Sequence, residues 1–591
     1  MCGIIGYVGK ENASGLLLDC LKNLEYRGYD SCGMATIFDG ELFVRKDVGR
    51  IEDVHKRLNF TELKGTIGMA HTRWATHGAV TRENGHPQVD CAGMVAVVHN
   101  GIIENYQELR RDLLERGHVF RSETDTEVIP HLIEDEIKNG KSFIMACANA
   151  LRKLEGIYAV LVLKKDEKKI VATRKGAPLV IGVADDAYFA ASDIPAFLQH
   201  TKSVVYLHDD DLAVLDSKPQ FFSLKNGSLE EVTRPVHTVD WSIEQVQKGD
   251  FDHFMMKEIS EQVESVQKAT NQDKAALLEV AETVKEAKDI FLVACGSSYH
   301  ACLSASYIFA KIANIHLDVI LASEFSNYEH FLAPDTLVIA VSQSGETIDV
   351  LDAVKTARRK NSKIICIVNV MGSSLHRSSD QALMLNTGPE ICVLSTKTYT
   401  AQLAVLSLLA YTVADKYEEG KASLRYLWNI TYNLTSANTR NYVRQLADML
   451  KEKEHIFTIG RGLHYPTALE AALKIKEVSY IHAEGFSGGE LKHGAIALID
   501  DHTPCIVFYS AENERETISN ATEIKARGGY LIGIGPENNE VFDFFIKVPE
   551  VGELNSICQI IPIQILAYQL AVLRGCDPDK PRNLAKSVTV R

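Results

Sequence analysis

Three uninterrupted apolar runs, Asp289-Ile290-Phe291-Leu292-Val293-Ala294, Thr336-Leu337-Val338-Ile339-Ala340-Val341 and Lys363-Ile364-Ile365-Cys366-Ile367-Val368, alternate with stretches of helical character. A strand that is apolar on both faces must be covered on both. Strands joined through helices run parallel, so this half of the chain is restricted to parallel α/β layers. The unit then recurs. Phe291 to His300 and Phe457 to Tyr465 both pass from strand through a glycine turn into a helix start, and each opens a β/α stretch of similar length. The repetition predicts two related α/β domains, at residues 281–416 and 449–580, with a polar tail at 581–591 that composition alone reads as frayed.

Residues 2–217 read differently. Short alternating segments such as Gly93 to Val98 and Lys169 to Ala172 mix with helical stretches such as Glu104 to Glu115, which predicts an α+β domain rich in sheet. The polar stretch 218–280, around Pro235 and Lys248-Gly249-Asp250, reads as a linker region. A length of 591 residues demands several cores. The net charge of −15 offers no basic stripe for nucleic acid or an anionic membrane. No apolar run is read as reaching the ~18 residues of a membrane span, and no leader precedes the first strand. The 12 cysteines show no C-x-x-C pair or histidine cluster at zinc spacing. Reduced thiols, a cytoplasmic setting and no metal are therefore expected.

Several segments carry chemistry. A residue as small as Cys2 permits removal of Met1. The exposed α-amine titrates near pH ~8 and can serve as base for the thiol of the same residue. In His71-Thr72-Arg73-Trp74-Ala75-Thr76-His77-Gly78, Arg73 can grip a carboxylate with two hydrogen bonds and Trp74 can cap a site against water. Asn100-Gly101 offers the amide and unhindered N–H of an oxyanion hole, although Asn-Gly also suits a plain turn. Asp125 can pair with a ligand ammonium. Together, Cys2-Gly3-Ile4, Leu24 to Ser31, His71 to Gly78, His99-Asn100-Gly101 and Ser122 to Glu127 resemble the N-terminal-nucleophile glutaminase domain of the class II amidotransferases. The resemblance implies a four-layer sandwich and attack of the Cys2 thiol on the side-chain amide of L-glutamine. It also implies an oxyanion hole of Asn100 and Gly101. Arg73 and Asp125 hold the α-carboxylate and α-amine, with Thr76 and His77 lining the pocket. Cys32 departs from the alanine usual in that family.

In the second half, Ser342-Gln343-Ser344-Gly345-Glu346-Thr347 leaves an apolar strand and opens a helix, an anion cradle without the glycines and lysine of a Walker loop. Cys295 to Ser298 and Leu394 to Lys397 add two hydroxyl-rich turns at strand ends, which suggests one crevice. Glu470, Lys474 and Glu477 share one helical face. Such a ladder suits a solvated surface, but its apolar flanks also allow a crevice in which the lysine and glutamate pKa values move toward neutrality. With His482-Ala483-Glu484, Gly489 to Gly494 and Arg582 to Lys586, these segments resemble the isomerising glutamine:fructose-6-phosphate amidotransferases over essentially the whole chain. That likeness implies tandem α/β sugar-isomerase domains and fructose 6-phosphate as acceptor. It places the phosphate on Ser342, Gln343, Ser344 and Thr347, with Ser297, Ser298 and Ser395 around the sugar. Lys586 forms a Schiff base, and Glu477 acts as base with Lys474 and Glu470 nearby. His493 opens the ring from a partner subunit, which makes the sugar site shared within a homodimer. An interior ammonia channel gated by Trp74 is implied, and no cofactor. Ser297 replaces the threonine usual there, and the long interdomain insertion of eukaryotic members is missing, which puts product feedback in doubt. Two other readings stay open: an amidotransferase acting on another acceptor such as a phosphoribosyl pyrophosphate, and a non-enzymatic sugar-phosphate sensor.

Overall fold

Along the strand Gly3–Val8, Ile4 enters one apolar cluster while Ile5 and Tyr7 enter another, because successive side chains leave a strand on opposite faces. The same split separates Ala35 from Cys32 and Met34 on Ser31–Phe38, and Ala96 and Val98 from Val95 and Val97 on Val95–Ile103. The computed structural model describes residues 2–75, 77–225 and 228–589, and the chain divides into two units, Met1–Gln247 with Ala585–Arg591, and Lys248–Leu584.

In the first unit an eight-stranded and a seven-stranded sheet face each other. Ile4, Ala35 and Met69 of one meet Ala96, Leu161 and Ala172 of the other. The outer face of the eight-stranded sheet packs on helix Ala13–Lys22 through Leu17 and Leu21. That of the seven-stranded sheet packs on helices Val128–Lys138 and Phe143–Arg152 through Ile129, Leu132, Ala146 and Leu151. Helix, sheet, sheet and helix form the expected four layers, and Cys32 is accommodated as a buried core residue.

The second unit holds two five-stranded parallel sheets. Their orders are Asp318–Leu321, Asp289–Ala294, Thr336–Ser342, Lys363–Val368, Gln381–Met384 and His482–Ser487, His455–Gly460, Pro504–Phe508, Tyr530–Gly535, Phe544–Lys547. In chain order both are 2-1-3-4-5, so the recurrence in the sequence is a duplicated fold. The winding direction reverses between the first and third strands of each sheet, which opens a crevice at their carboxyl ends. Helices Lys397–Val413 and Asn555–Leu573 lie in the core cluster common to both sheets.

Three sequence expectations need correction. Gly552–Leu573 is long and apolar enough to cross a membrane, with a mean hydropathy of 1.7, yet 83% of that window is buried in the fold. Its composition is that of a helix surrounded by core. Residues 218–280 are structured throughout much of their length. Gln220–Ser223, Glu230–Glu231 and His237–Thr238 join the two sheets, while Met255, Ile259, Val266, Leu277 and Val280 on three helices enter the second unit's core. Their polar outer faces hid a narrow apolar stripe. The start of the tail is anchored as well: the Arg582 N–H donates to the Tyr480 hydroxyl at 2.7 Å and its guanidinium stacks on the Tyr480 ring, just after Asp579 accepts the N–H groups of Phe254 and Met255 at 2.9 and 2.8 Å.

Candidate active sites

Strand register places Cys2. Gly3 lies opposite Thr72, so the residue before the strand meets the residues that follow Thr72. The Trp74 N–H donates to Cys2 Sγ at 3.2 Å, and the thiol faces the Trp74 carbonyl at 3.5 Å. On the same peptide packs Gly28, where a Cβ would lie 2.7 Å from Arg73 C. Burial raises the Cys2 thiol pKa, opposed in part by the Trp74 N–H. A nucleophile held as thiol needs a base beside it.

Asn100 shares the parity of Val98 and so faces the first sheet, where its Nδ2 donates to the Cys2 carbonyl at 2.8 Å. The orientation of that amide is set by His71, whose Nε2 lies 3.1 Å from Asn100 Oδ1 and 3.0 Å from the His99 carbonyl. With two acceptors, Nε2 must carry the proton. Burial pushes the His71 pKa down to about 3, so the ring is neutral and the tautomer defined. Composition could not assign this role to His71; only the adjacency of the two sheets reveals it. Gly101 has φ +123 and a Cβ there would lie 1.9 Å from the Ile157 carbonyl.

Asp125 is buried and accepts the Ile103 N–H at 2.8 Å. Arg73 is also buried, and its guanidinium donates to the carbonyls of His77, Ala79 and Gly78. It therefore ties down the His77–Ala79 loop in this structure. His77 packs edge-on against Tyr106, and Trp74 against Tyr29. Thr76 lies outside the described residues.

In the second unit, Glu470 and Lys474 on helix His464–Ser479 are almost completely buried. Glu470 Oε1 accepts from Ser297 Oγ at 2.8 Å and Oε2 pairs with His300 Nδ1 at 2.8 Å. Lys474 Nζ bridges Glu470 at 3.4 Å and Glu477 at 2.7 Å. The ladder is thus no solvated face. Its titration also runs against the expected shift toward neutrality. Burial alone raises the Glu470 carboxyl, but Lys474, His300 and Ser297 hold it below its ordinary value. Burial likewise opposes charge on Lys474, yet Glu470 and Glu477 outweigh it and its pKa is raised. Opposite charges at contact distance dominate desolvation here. His300 escaped the sequence analysis, because only the meeting of helices Gly296–Ile312 and His464–Ser479 brings it to Glu470.

Around this ion pair, Ser298 Oγ accepts from Gln402 Nε2 at 2.9 Å, and Ser395 Oγ lies 2.8 Å from Thr398 Oγ1 at the start of helix Lys397–Val413. Ser342 ends its strand, accepts the Gly345 N–H at 3.1 Å and lies 3.4 Å from Thr347, which caps helix Ile348–Arg359. Ser344 accepts the Glu346 N–H, and the Gln343 carbonyl accepts the Asn369 N–H. Because Asp289–Ala294 and Thr336–Ser342 are neighbouring strands, the 295–298 and 343–347 turns leave adjacent carboxyl ends. His493 is exposed on the turn Glu490–His493, and Lys586 lies in the terminal segment that groups with the first unit.

Comparison with known proteins agrees with both halves. A glutamine amidotransferase domain matches residues 71–199, and a SIS domain matches 283–412 and again 449–574. The glutamine–fructose-6-phosphate aminotransferase (isomerizing) of Pyrococcus horikoshii is 45% identical, with 100% of both chains covered. The chain belongs to the isomerizing glutamine–fructose-6-phosphate aminotransferases. A second member of this aminotransferase family, from Thermococcus kodakarensis, is 46% identical over 100% of both chains. The solved C-terminal domain of glucosamine-fructose-6-phosphate aminotransferase from Francisella tularensis is 34% identical, with a TM-score of 0.53 over 56% of this chain and 99% of that one.

Proposed function

We propose that this chain hydrolyses L-glutamine and transfers the ammonia to fructose 6-phosphate with ketose-to-aldose isomerisation, giving glucosamine 6-phosphate and glutamate, the entry step to amino-sugar synthesis. The Glu470–Lys474–Glu477 array, its first two members buried and Glu477 partly exposed, carries the reading. Holding the Glu470 and Lys474 charges out of water is costly, and a sugar-phosphate sensor has no use for an acid–base ladder, whereas an isomerase requires one.

In the first half, loss of Met1 leaves Cys2 with a free α-amine to take the thiol proton. The thiolate attacks the glutamine carboxamide carbon, and the developing oxyanion is stabilised by the Asn100 amide and the Gly101 N–H. The C–N bond breaks, ammonia leaves with the proton, and water hydrolyses the thioester to glutamate. Neutral His71 acts as a positioning residue by keeping the NH2 of Asn100 turned toward Cys2. Arg73 and Asp125 bind the two ends of glutamine, the former by exchanging its loop carbonyls for the α-carboxylate, with Trp74, Thr76 and His77 closing the pocket.

In the second half, the sugar phosphate sits on Ser342, Gln343, Ser344 and Thr347 at a helix N-terminus, and Ser297, Ser298 and Ser395 contact the sugar. His493 of a second subunit assists ring opening, which makes the working form a homodimer. The Lys586 amine condenses with the C2 ketone and water leaves; ammonia then displaces the lysine. Glu477 removes a proton from C1, C2 is reprotonated, and the imine becomes a 2-amino aldose. Lys474 stays protonated between two carboxylates and steadies the charge that develops on oxygen. We place the glutaminase domain from residue 2 through the strands that end at Thr238, the sugar-isomerase domains at 281–416 and 449–580, and the protein in the cytoplasm.

Mass spectrometry of the products, with glutamine and fructose 6-phosphate each omitted in turn, tests the assignment. Glucosamine 6-phosphate together with glutamate in the full mixture is expected. Glutamate without amino sugar overturns the acceptor.

A further inference from the structure

A second constellation lies within the first unit, apart from the residues assigned to glutamine. Cys91, His118, His131 and Glu134 each direct one ligand-type atom to a common point, all within 4.8 Å of one another. Cys91 Sγ is 3.6 Å from His118 Nδ1 and 3.5 Å from His131 Nδ1. Glu134 Oε2 is 3.2 Å from His118 Nδ1 and 3.4 Å from His131 Nδ1. Tetrahedral coordination at ordinary zinc–sulfur and zinc–nitrogen or oxygen bond lengths requires ligand separations of about 3.6 Å for S···N and about 3.4 Å for N···O. The four measured spacings match that geometry.

Proton counting supports the same conclusion. His118 Nε2 pairs with Asp135 Oδ1 at 2.7 Å, and His131 Nε2 faces Glu127 Oε1 at 3.6 Å. His118 therefore keeps its proton on Nε2 and turns the Nδ1 lone pair inward, while His131 Nε2 makes no hydrogen bond and its Nδ1 lies on Glu134 Oε2. There the His118 lone pair meets a carboxylate oxygen and a sulfur, which also accept backbone N–H groups, Glu134 Oε2 that of Cys91 at 3.2 Å and Cys91 Sγ that of Val119. His118, His131 and Glu134 are all buried. The outer partners are those that orient metal ligands elsewhere: Asp135 is held by Arg116 at 2.7 Å, Glu134 Oε1 by Lys138 at 2.8 Å, and Cys91 Sγ by the Val119 N–H at 3.4 Å.

We propose that Cys91, His118, His131 and Glu134 form a structural site for one divalent zinc-type cation. A thiolate and a carboxylate neutralise the 2+ charge. Thiol, imidazole and carboxylate together favour zinc over magnesium or calcium, which take oxygen ligands. On binding, the Cys91 S–H bond breaks, a sulfur–metal bond forms and the proton leaves to solvent. The ion ties three separate segments together: the turn before strand Val95–Ile103, the loop after helix Tyr106–Glu115, and helix Val128–Lys138. Its reach extends to Glu127, which accepts the N–H groups of Arg121 and Ser122 at 2.7 and 2.6 Å and so shapes the loop that carries Asp125. The ligands are spread over residues 91–134 and supplied by tertiary contact, which is why no zinc spacing was visible in the sequence.

The test uses the full chain stripped by a chelator and titrated with Co2+, then Zn2+. Saturation is expected at about one ion per chain with tetrahedral ligand-field bands and thiolate-to-cobalt charge transfer, both displaced by Zn2+. Cys91→Ser must remove the charge-transfer band. Asp135→Asn, which leaves all four ligands in place, must weaken Zn2+ binding roughly 10- to 100-fold. Zn2+ must also raise the thermal unfolding midpoint of the wild-type chain. Absence of stoichiometric uptake by the wild-type chain, or a charge-transfer band unchanged in Cys91→Ser, overturns the site and leaves a hydrogen-bonded ionic cluster.

Discussion

Replacing Lys474 by Met removes the one cation that bridges Glu470 and Glu477 while keeping a side chain of similar length. Glu470 is 0% exposed. Its remaining partners are Ser297 and His300, each at 2.8 Å. Stripping one member from a buried ion pair costs about 3–5 kcal/mol, because the other charge stays desolvated and unpaired. The folding equilibrium of the second unit should accordingly fall by roughly two to nearly four orders of magnitude. The pH dependence gives a sharper test. In the wild type the folded Glu470 pKa is depressed, so its contribution is present above the unfolded pKa and lost as pH falls through the folded value. In Lys474→Met burial prevails, the folded pKa rises above the unfolded one, and acidification through that window relieves the variant's deficit. Trp428 is the one tryptophan of the second unit, so urea titrations of W74F/W241F backgrounds, followed by fluorescence from pH 7 to 4, read that unit. The double variant K474M/E470Q should recover much of the loss. A single-variant cost below about 1 kcal/mol, the value of an exposed pair, with no reversal of the pH trend, would falsify the ion-pair argument.

Four further outcomes are expected. Cys2→Ala should abolish glutamine-dependent amination yet leave synthesis from concentrated ammonium salts at alkaline pH, measured as amino sugar formed. Asn100→Ala should lower glutaminase kcat by about 10²–10³ with little change in KM, whereas His71→Ala should show a smaller loss of the same kind, since it acts only on the Asn100 orientation. Gly345→Ala puts a Cβ 2.1 Å from Ser373 Oγ at φ +67, so the 342–347 turn must move and KM for the phosphosugar should rise more than kcat falls. Burial lowers the folded pKa values of His71, His86 and His99. The unfolded chain then binds more protons below pH ~6.5, and first-unit stability should fall on acidification from pH 7 to 5, by up to about 1.4 kcal/mol per pH unit for each histidine.

Period and continuity of apolar residues made the architecture readable before any coordinates. Runs such as Leu337 to Val341, apolar on both faces, required helices above and below, whereas the four layers of the first unit were implied by the family resemblance. The candidate catalytic residues were readable because they sit in short local motifs: Cys2 at a strand head, Ser342 to Thr347 at a strand–helix turn, Glu470 and Lys474 one turn apart. What those motifs could not express was contact between segments distant in the chain. Their composition left open whether the Glu-Lys-Glu ladder was solvated. Packing of helix His464–Ser479 on Gly296–Ile312 decided that it is buried, and reversed the expected direction of its pKa shifts. His71 behind Asn100, His300 behind Glu470 and the four converging atoms of Cys91, His118, His131 and Glu134 are likewise products of the tertiary fold. Local pattern determines which face of an element is apolar and which short motifs it presents. The partners of a buried polar group depend on which elements pack together, and that is decided only when the hydrophobic layers close.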